Sequence, residues 1–156
     1  MTYDELLIEA DKLGVIVKEA TLRTVDGKCY GNRIAIESSL SEREKACVLA
    51  EELSHYKLTV GNISNQSNSN NRKQELLARK DCYEKLITPE CIIKAILSGT
   101  DNIYELSEIL SVPESFLLDT IKHYRKKYGI YYVGKTHLLT FDPLNVIDFQ
   151  PIRQAK

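Results

Sequence analysis

The chain has 156 residues, of which 43% are apolar and 28% charged, with a formal net charge of −1. That balance fits one globular domain or two small lobes, and it excludes a large multidomain enzyme and general disorder. It also leaves no global field to recruit nucleic acid or an anionic membrane.

The opening "MTYDELLIEADK" has acids where a signal peptide needs a basic start and an apolar centre. No apolar run reaches the roughly 18 residues of a bilayer span. A cytoplasmic protein without membrane contact is therefore expected. Leu6, Leu7, Ala10 and Leu13 repeat at helical spacing over residues 3–13, and Gly14 is placed to end that helix. "VIVKEA" and "RIAIES" then read as strands, with Asp26-Gly27 and Gly31-Asn32 supplying turn chemistry between them, so a small antiparallel sheet is predicted.

Ser41 and Glu44 form an S-x-x-E capping box ahead of Ala46, Cys47, Val48, Leu49 and Ala50, which starts a helix near Glu42. The Asn/Ser-rich stretch 61–74 reads as a polar loop. A helix over about 74–87 follows, and then Thr88-Pro89 caps another that closes at Gly99. Thr100 or Asp101 caps a third, running to Leu110, and Pro113 opens a longer one that stops at Gly129. "IYYVGKTHLLTF" reads as two strands around Gly134-Lys135, a terminal hairpin. The predicted fold is α+β and mostly helical: a lobe over 1–87 with a small N-terminal antiparallel sheet and a zincin-like motif helix, and a helical lobe over 88–156 ending in the hairpin.

The chemistry concentrates in that motif helix. Glu51-Glu52-Leu53-Ser54-His55 reads E-E-x-x-H, one residue from the H-E-x-x-H of zinc peptidases. Residues four apart share a helix face, so Glu51 and His55 can grip one ion while Glu52 stands beside it as general base toward a water. The next helix offers Glu75 as third donor, leaving a fourth position open, as a catalytic zinc requires. A carboxylate at position 51 adds negative charge, weakens the ion as a Lewis acid, and moves the donor set toward oxygen. Zinc is the expected metal, with manganese admitted by that shift. Taken by spacing alone, the stretch fits better a capped amphipathic helix showing Glu51, Glu52 and His55 to water.

Other candidates weigh less. Cys29, Cys47, Cys82 and Cys91 form no C-x-x-C pair, so they read as free thiols, mostly buried. His123 reads as a solvated helix residue and His137 as a hydrogen-bonded strand residue, the one spare imidazole that could stand in at the metal. Tyr56 and Tyr83 are candidates to assist an oxyanion. The stretch 105–121 has a helix-turn-helix layout, but Glu114, Ser115 and Asp119 put the wrong charge where a reader meets DNA. Lys122, Arg125, Lys126 and Lys127 lie at the far end of that helix, where cations favour the helix dipole without a partner. Direct nucleic-acid binding is thus the weaker rival.

"EREKACVLAEELSHYKLTVGNI", "RKQELLARKDCYEKLI" and "DNIYELSEILSVPESFLLDTIKHYRKKYG" together resemble the ImmA/IrrE metallo-endopeptidases, in particular the short form of phages and mobile elements. In that pattern Glu52 takes the general-base position, His55 the second histidine and Glu75 the distal glutamate of E-x-x-A. Glu51 stands where the first histidine belongs, Ser54 where glycine is frequent, and Asp81 and Cys82 where an aromatic and an alanine are usual. The resemblance implies metal-dependent cleavage of a cognate helix-turn-helix repressor in phage or mobile-element control. The runner-up is a peptidase-like protein that regulates a repressor by binding it uncut.

Overall fold

The computed structural model describes residues 1–61 and 71–149. Its elements are α1 (Tyr3–Lys12), β1 (Ile16–Ala20), β2 (Gly27–Tyr30), β3 (Arg33–Glu37), α2 (Glu42–Gly61), α3 (Asn71–Leu86), α4 (Pro89–Leu97), α5 (Ile103–Leu110), α6 (Glu114–Tyr128), β4 (Tyr131–Val133), β5 (His137–Phe141) and β6 (Leu144–Asp148). The class is α+β and mostly helical, as the pattern predicts. Of the stretch read as a loop, residues 62–70 lie outside the described residues, while Gly61 still belongs to α2 and Asn71–Gln74 already to α3.

By its packing the chain divides into a unit of Met1–Leu86 with Ser111–Pro113, and a unit of Ile87–Leu110 with Glu114–Lys156. In the first, α2 is the central element, packed against α1, α3, β2 and β3. Its buried residues Ala46, Leu49, Ala50, Leu53 and Ser54 recur at i, i+3, i+4, i+7 and i+8 and so form one stripe along the helix. The capping box appears as read: Glu44 N–H donates to Ser41 Oγ at 3.3 Å, and Ser41 N–H returns to Glu44 Oε2 at 2.8 Å. Helix α1 starts with its own box, Thr2 and Glu5. On α3, Ala78, Cys82 and Leu86 recur every fourth residue as its buried line.

The first sheet departs from the prediction. Its order is β1-β3-β2: β2 pairs antiparallel with β3, but β1 runs parallel to β3, with Val17 opposite Ile34 and Glu19 opposite Ile36. The segment read as connecting turns is itself the edge strand β2. Behind β3, the Glu37 carboxylate accepts from the backbone N–H groups of Leu22 and Ser39 and from the Ser39 hydroxyl at 2.9 Å. These donors hold its pKa below the ordinary carboxylate value of 4.5. A carboxylate whose folded-state pKa is lowered stabilises the fold above the unfolded value and loses that contribution as pH falls through the folded one. The difference in melting temperature between native protein and Glu37→Gln should therefore be largest above pH about 4.5 and shrink below it. A difference that is flat with pH would assign the bonds no such role.

In the second unit α4 packs on α5, β5 and β6, and α6 on α5, β4 and β5. Thr88 caps α4 with Pro89 in its first turn. The cap of α5 is Asn102, whose Oδ1 accepts from Glu105 N–H at 2.9 Å, in place of the Thr100 or Asp101 suggested by the sequence. Tyr124 of α6 is 1% exposed, donates its hydroxyl to the Ile87 carbonyl at 2.5 Å, and stacks near Tyr128 and Phe141. The terminal hairpin gains a third strand, β6, antiparallel to β5.

Candidate metal centre

Helix α2 holds Glu51 and His55 one turn apart, and α3, packed along it, brings Glu75 to the same place. One donor atom from each of the three lies within 4.8 Å of the other two. Among them, His55 Nε2 is 3.9 Å from Glu51 Oε1. A tetrahedral ion with bonds of about 2.1 Å has its donors about 3.4 Å apart, so side-chain adjustment of well under a rotamer change closes the set. One nitrogen and two carboxylates form a borderline set, fit for zinc and open to manganese. These residues fit a divalent ion. Because α3 begins at Asn71 and not near Gln74, Glu75 sits one turn into the helix, where the backbone is firmly helical.

Glu52 lies beside the cluster and outside its donor set. Burial raises its carboxyl pKa; His55 opposes that, Glu51 adds to it, the Cys29 N–H donated to the carboxylate opposes it, and Glu75 adds again. A carboxyl moved toward neutrality is better matched to accepting a proton at working pH. The Cys29 bond comes from β2, which approaches α2 closely because residue 27 is glycine: a Cβ there would collide with Val48 Cγ1 and press on Glu52 Cγ at 3.2 Å. Gly27 is thus needed for space at the strand, and not for the turn that Asp26-Gly27 suggests.

Two further contacts escape a reading by motif. Arg79, one turn after Glu75, places Nε 3.7 Å from Glu51 Oε1 and sets a positive charge against that carboxylate. Ser54, 1% exposed, has its Oγ 2.7 Å from Asp81 Oδ2 and 2.9 Å from the Ala50 carbonyl, linking α2 to α3. Ser54 and Asp81, two of the residues singled out in the sequence, therefore meet each other. Next to Glu52 and His55 opens a cleft of about 620 Å³, lined also by Cys29, Gly31, Asn32, Tyr56 and Thr59.

The remaining candidates lie elsewhere. His137 belongs to the second unit, with Thr136 Oγ1 2.7 Å from its Nδ1 and Asp148 Oδ1 3.8 Å from its Nε2, and is not among the converging donors. The His123 ring lies 5.3 Å from that of Tyr124 and is half-buried, less open to water than the expected solvated residue. Tyr56 lines the cleft and Tyr83 does not. Of the cysteines only Cys82 is buried; Cys29 and Cys47 are half-buried and Cys91 is exposed. No described helix is long and apolar enough to cross a membrane.

A family model of M78 peptidases, the IrrE N-terminal-like domain, matches residues 10–122. The comparison with curated proteins returns no match.

Proposed function

The chain belongs to the IrrE N-terminal-like family of M78 peptidases, and from that premise we propose that it is a cytoplasmic, metal-dependent endopeptidase whose substrate is a helix-turn-helix repressor of a phage or mobile element. The observation that carries the enzymatic reading is the convergence of Glu51, His55 and Glu75 beside a half-buried Glu52. Glu51, His55 and Glu75 would hold the ion, zinc first and manganese second. When bound, the ion supplies Lewis acidity that makes a water more acidic and a carbonyl more electrophilic.

The chain's own part is proton transfer and placement. Glu52 takes a proton from the water whose oxygen attacks the scissile carbonyl carbon. It then returns that proton to the nitrogen as the C–N bond breaks, giving a carboxylic acid and an amine, which settle as carboxylate and ammonium when the acid's proton passes to the amine. The Cys29 N–H, from the edge strand β2, keeps the Glu52 carboxylate aimed.

One observation favours a second reading. Arg79 pairs with Glu51, one of the residues that would hold the ion, and a carboxylate at that place would weaken the Lewis acid. Both fit a regulator that grips a repressor without cutting it.

Incubating the purified protein with a candidate helix-turn-helix repressor, followed by mass spectrometry, separates the two. The proposed activity gives two fragments summing to the repressor plus one water. Intact repressor that co-elutes with the protein, even with zinc added, would replace cleavage by binding.

A further inference from the structure

Glu52, His55, Tyr56 and Thr59 stand at i, i+3, i+4 and i+7 of α2 and so form one stripe of the helix. That stripe is one wall of the cleft, and Cys29, Gly31 and Asn32 of the β2–β3 hairpin are the other. Three polar groups of these walls are already engaged inside the protein. Thr59 Oγ1 donates to the His55 carbonyl at 2.8 Å, Asn32 Nδ2 to the Gly14 carbonyl at 3.2 Å, and Cys29 Sγ to the Gly31 carbonyl at 3.6 Å. Burial and the neighbouring Glu52 keep the Cys29 thiol neutral by raising its pKa. No lysine or arginine lines the cleft among the described residues.

An entering side chain therefore meets an aromatic ring, engaged hydroxyl, thiol and amide groups, and a single carboxylate at the catalytic end. An acidic side chain would be desolvated with no lysine or arginine to pair with and repelled by Glu52. A basic one would shed its water against a single carboxylate that already accepts from the Cys29 N–H, a desolvation that one buried pair does not repay. What remains favourable is an uncharged, apolar side chain, whose burial needs no partner.

We propose that this cleft is the specificity pocket of the enzyme and receives a large apolar side chain, leucine to phenylalanine in kind, next to the bond that is cut, with Tyr56 and Thr59 setting the preference. This rests on the peptidase reading above. It adds a constraint on the cut site that the metal cluster does not contain.

The test uses the full-length protein loaded with zinc and three probes of equal backbone: the hydroxamates of N-acetyl-phenylalanine, N-acetyl-aspartate and N-acetyl-lysine. Their binding is measured by calorimetry. The phenylalanine probe should bind at least about tenfold tighter than the other two, the scale on which apolar pockets discriminate. Tyr56→Ala should bring the ratios to within about threefold, Tyr56→Phe should keep them, and Thr59→Lys should turn the preference toward aspartate, all with zinc affinity unchanged. Tyr56 is half-buried and Thr59 exposed, so the last two variants keep the test open if Tyr56→Ala misfolds. Equal binding of all three probes, or none, to a protein that holds zinc through His55 would overturn the pocket and leave the metal centre standing. Absence of His55-dependent zinc would bring down the metal centre and the pocket with it.

Discussion

Glu52→Gln is expected to lower peptide cleavage by about 10²- to 10⁴-fold while leaving bound metal at the native level. Gln has the same shape and can still accept the Cys29 N–H, so the wall of β2 against α2 keeps its bond. What it cannot do is take a proton from water. Because Glu52 is outside the converging donor set, the ion loses no ligand. The measurement is repressor cleavage under single-turnover conditions, paired with metal content of the same preparation. Cleavage at the native rate would show that another group is the base; loss of metal together with cleavage would place Glu52 among the ligands.

His55→Ala carries the second large effect. It removes the one nitrogen donor of the set and should weaken zinc binding by more than the roughly 10- to 100-fold that loss of an outer-shell partner costs, with cleavage lost in parallel. Glu75→Ala should act in the same direction from the other helix, which a merely local role of α2 would not produce. The His55 side chain is 28% exposed, so the melting temperature of the metal-free protein should change little. Glu51→His works oppositely: replacing a carboxylate by a neutral imidazole removes negative charge from the ion and should speed cleavage. A chelating dye in competition with the protein measures all three affinities. Unchanged affinity in His55→Ala would mean that the cluster binds no ion.

The parts of this molecule that were legible in its sequence are those set by local chemistry. Ser41 and Glu44, Thr88 and Pro89, and the left-handed glycines Gly14 and Gly129 each mark a helix end through groups within one turn of one another. Glu51 and His55 were legible for the same reason, since four residues along a capped helix fixes their common face.

What escaped is non-local. Nothing in the alternation of "VIVKEA" or "RIAIES" says which way the two strands run relative to each other, and β1 and β3 prove parallel with β2 on the far side. Strand β2 hid between two turn signals because its four residues, Gly27–Tyr30, include a glycine there to make room for Val48 and Glu52. Strand β6 follows Asp142-Pro143, a pair that reads as an ending. At the site, Glu75 could be named from its place in the following helix, whereas the Arg79 contact and the Ser54–Asp81 link depend on how α3 lies on α2. The cleft needed the fold as well: only with β2 against α2 do Tyr56 and Thr59 face a wall made by Cys29, Gly31 and Asn32.

The most direct measurement is the metal content of the native protein and of His55→Ala by elemental mass spectrometry, both purified without chelator or affinity-tag metal. A metal centre at Glu51, His55 and Glu75 predicts close to one equivalent of zinc or manganese in the native protein and almost none in the variant. No metal in the native protein after zinc is added back, or equal metal in both, would contradict it.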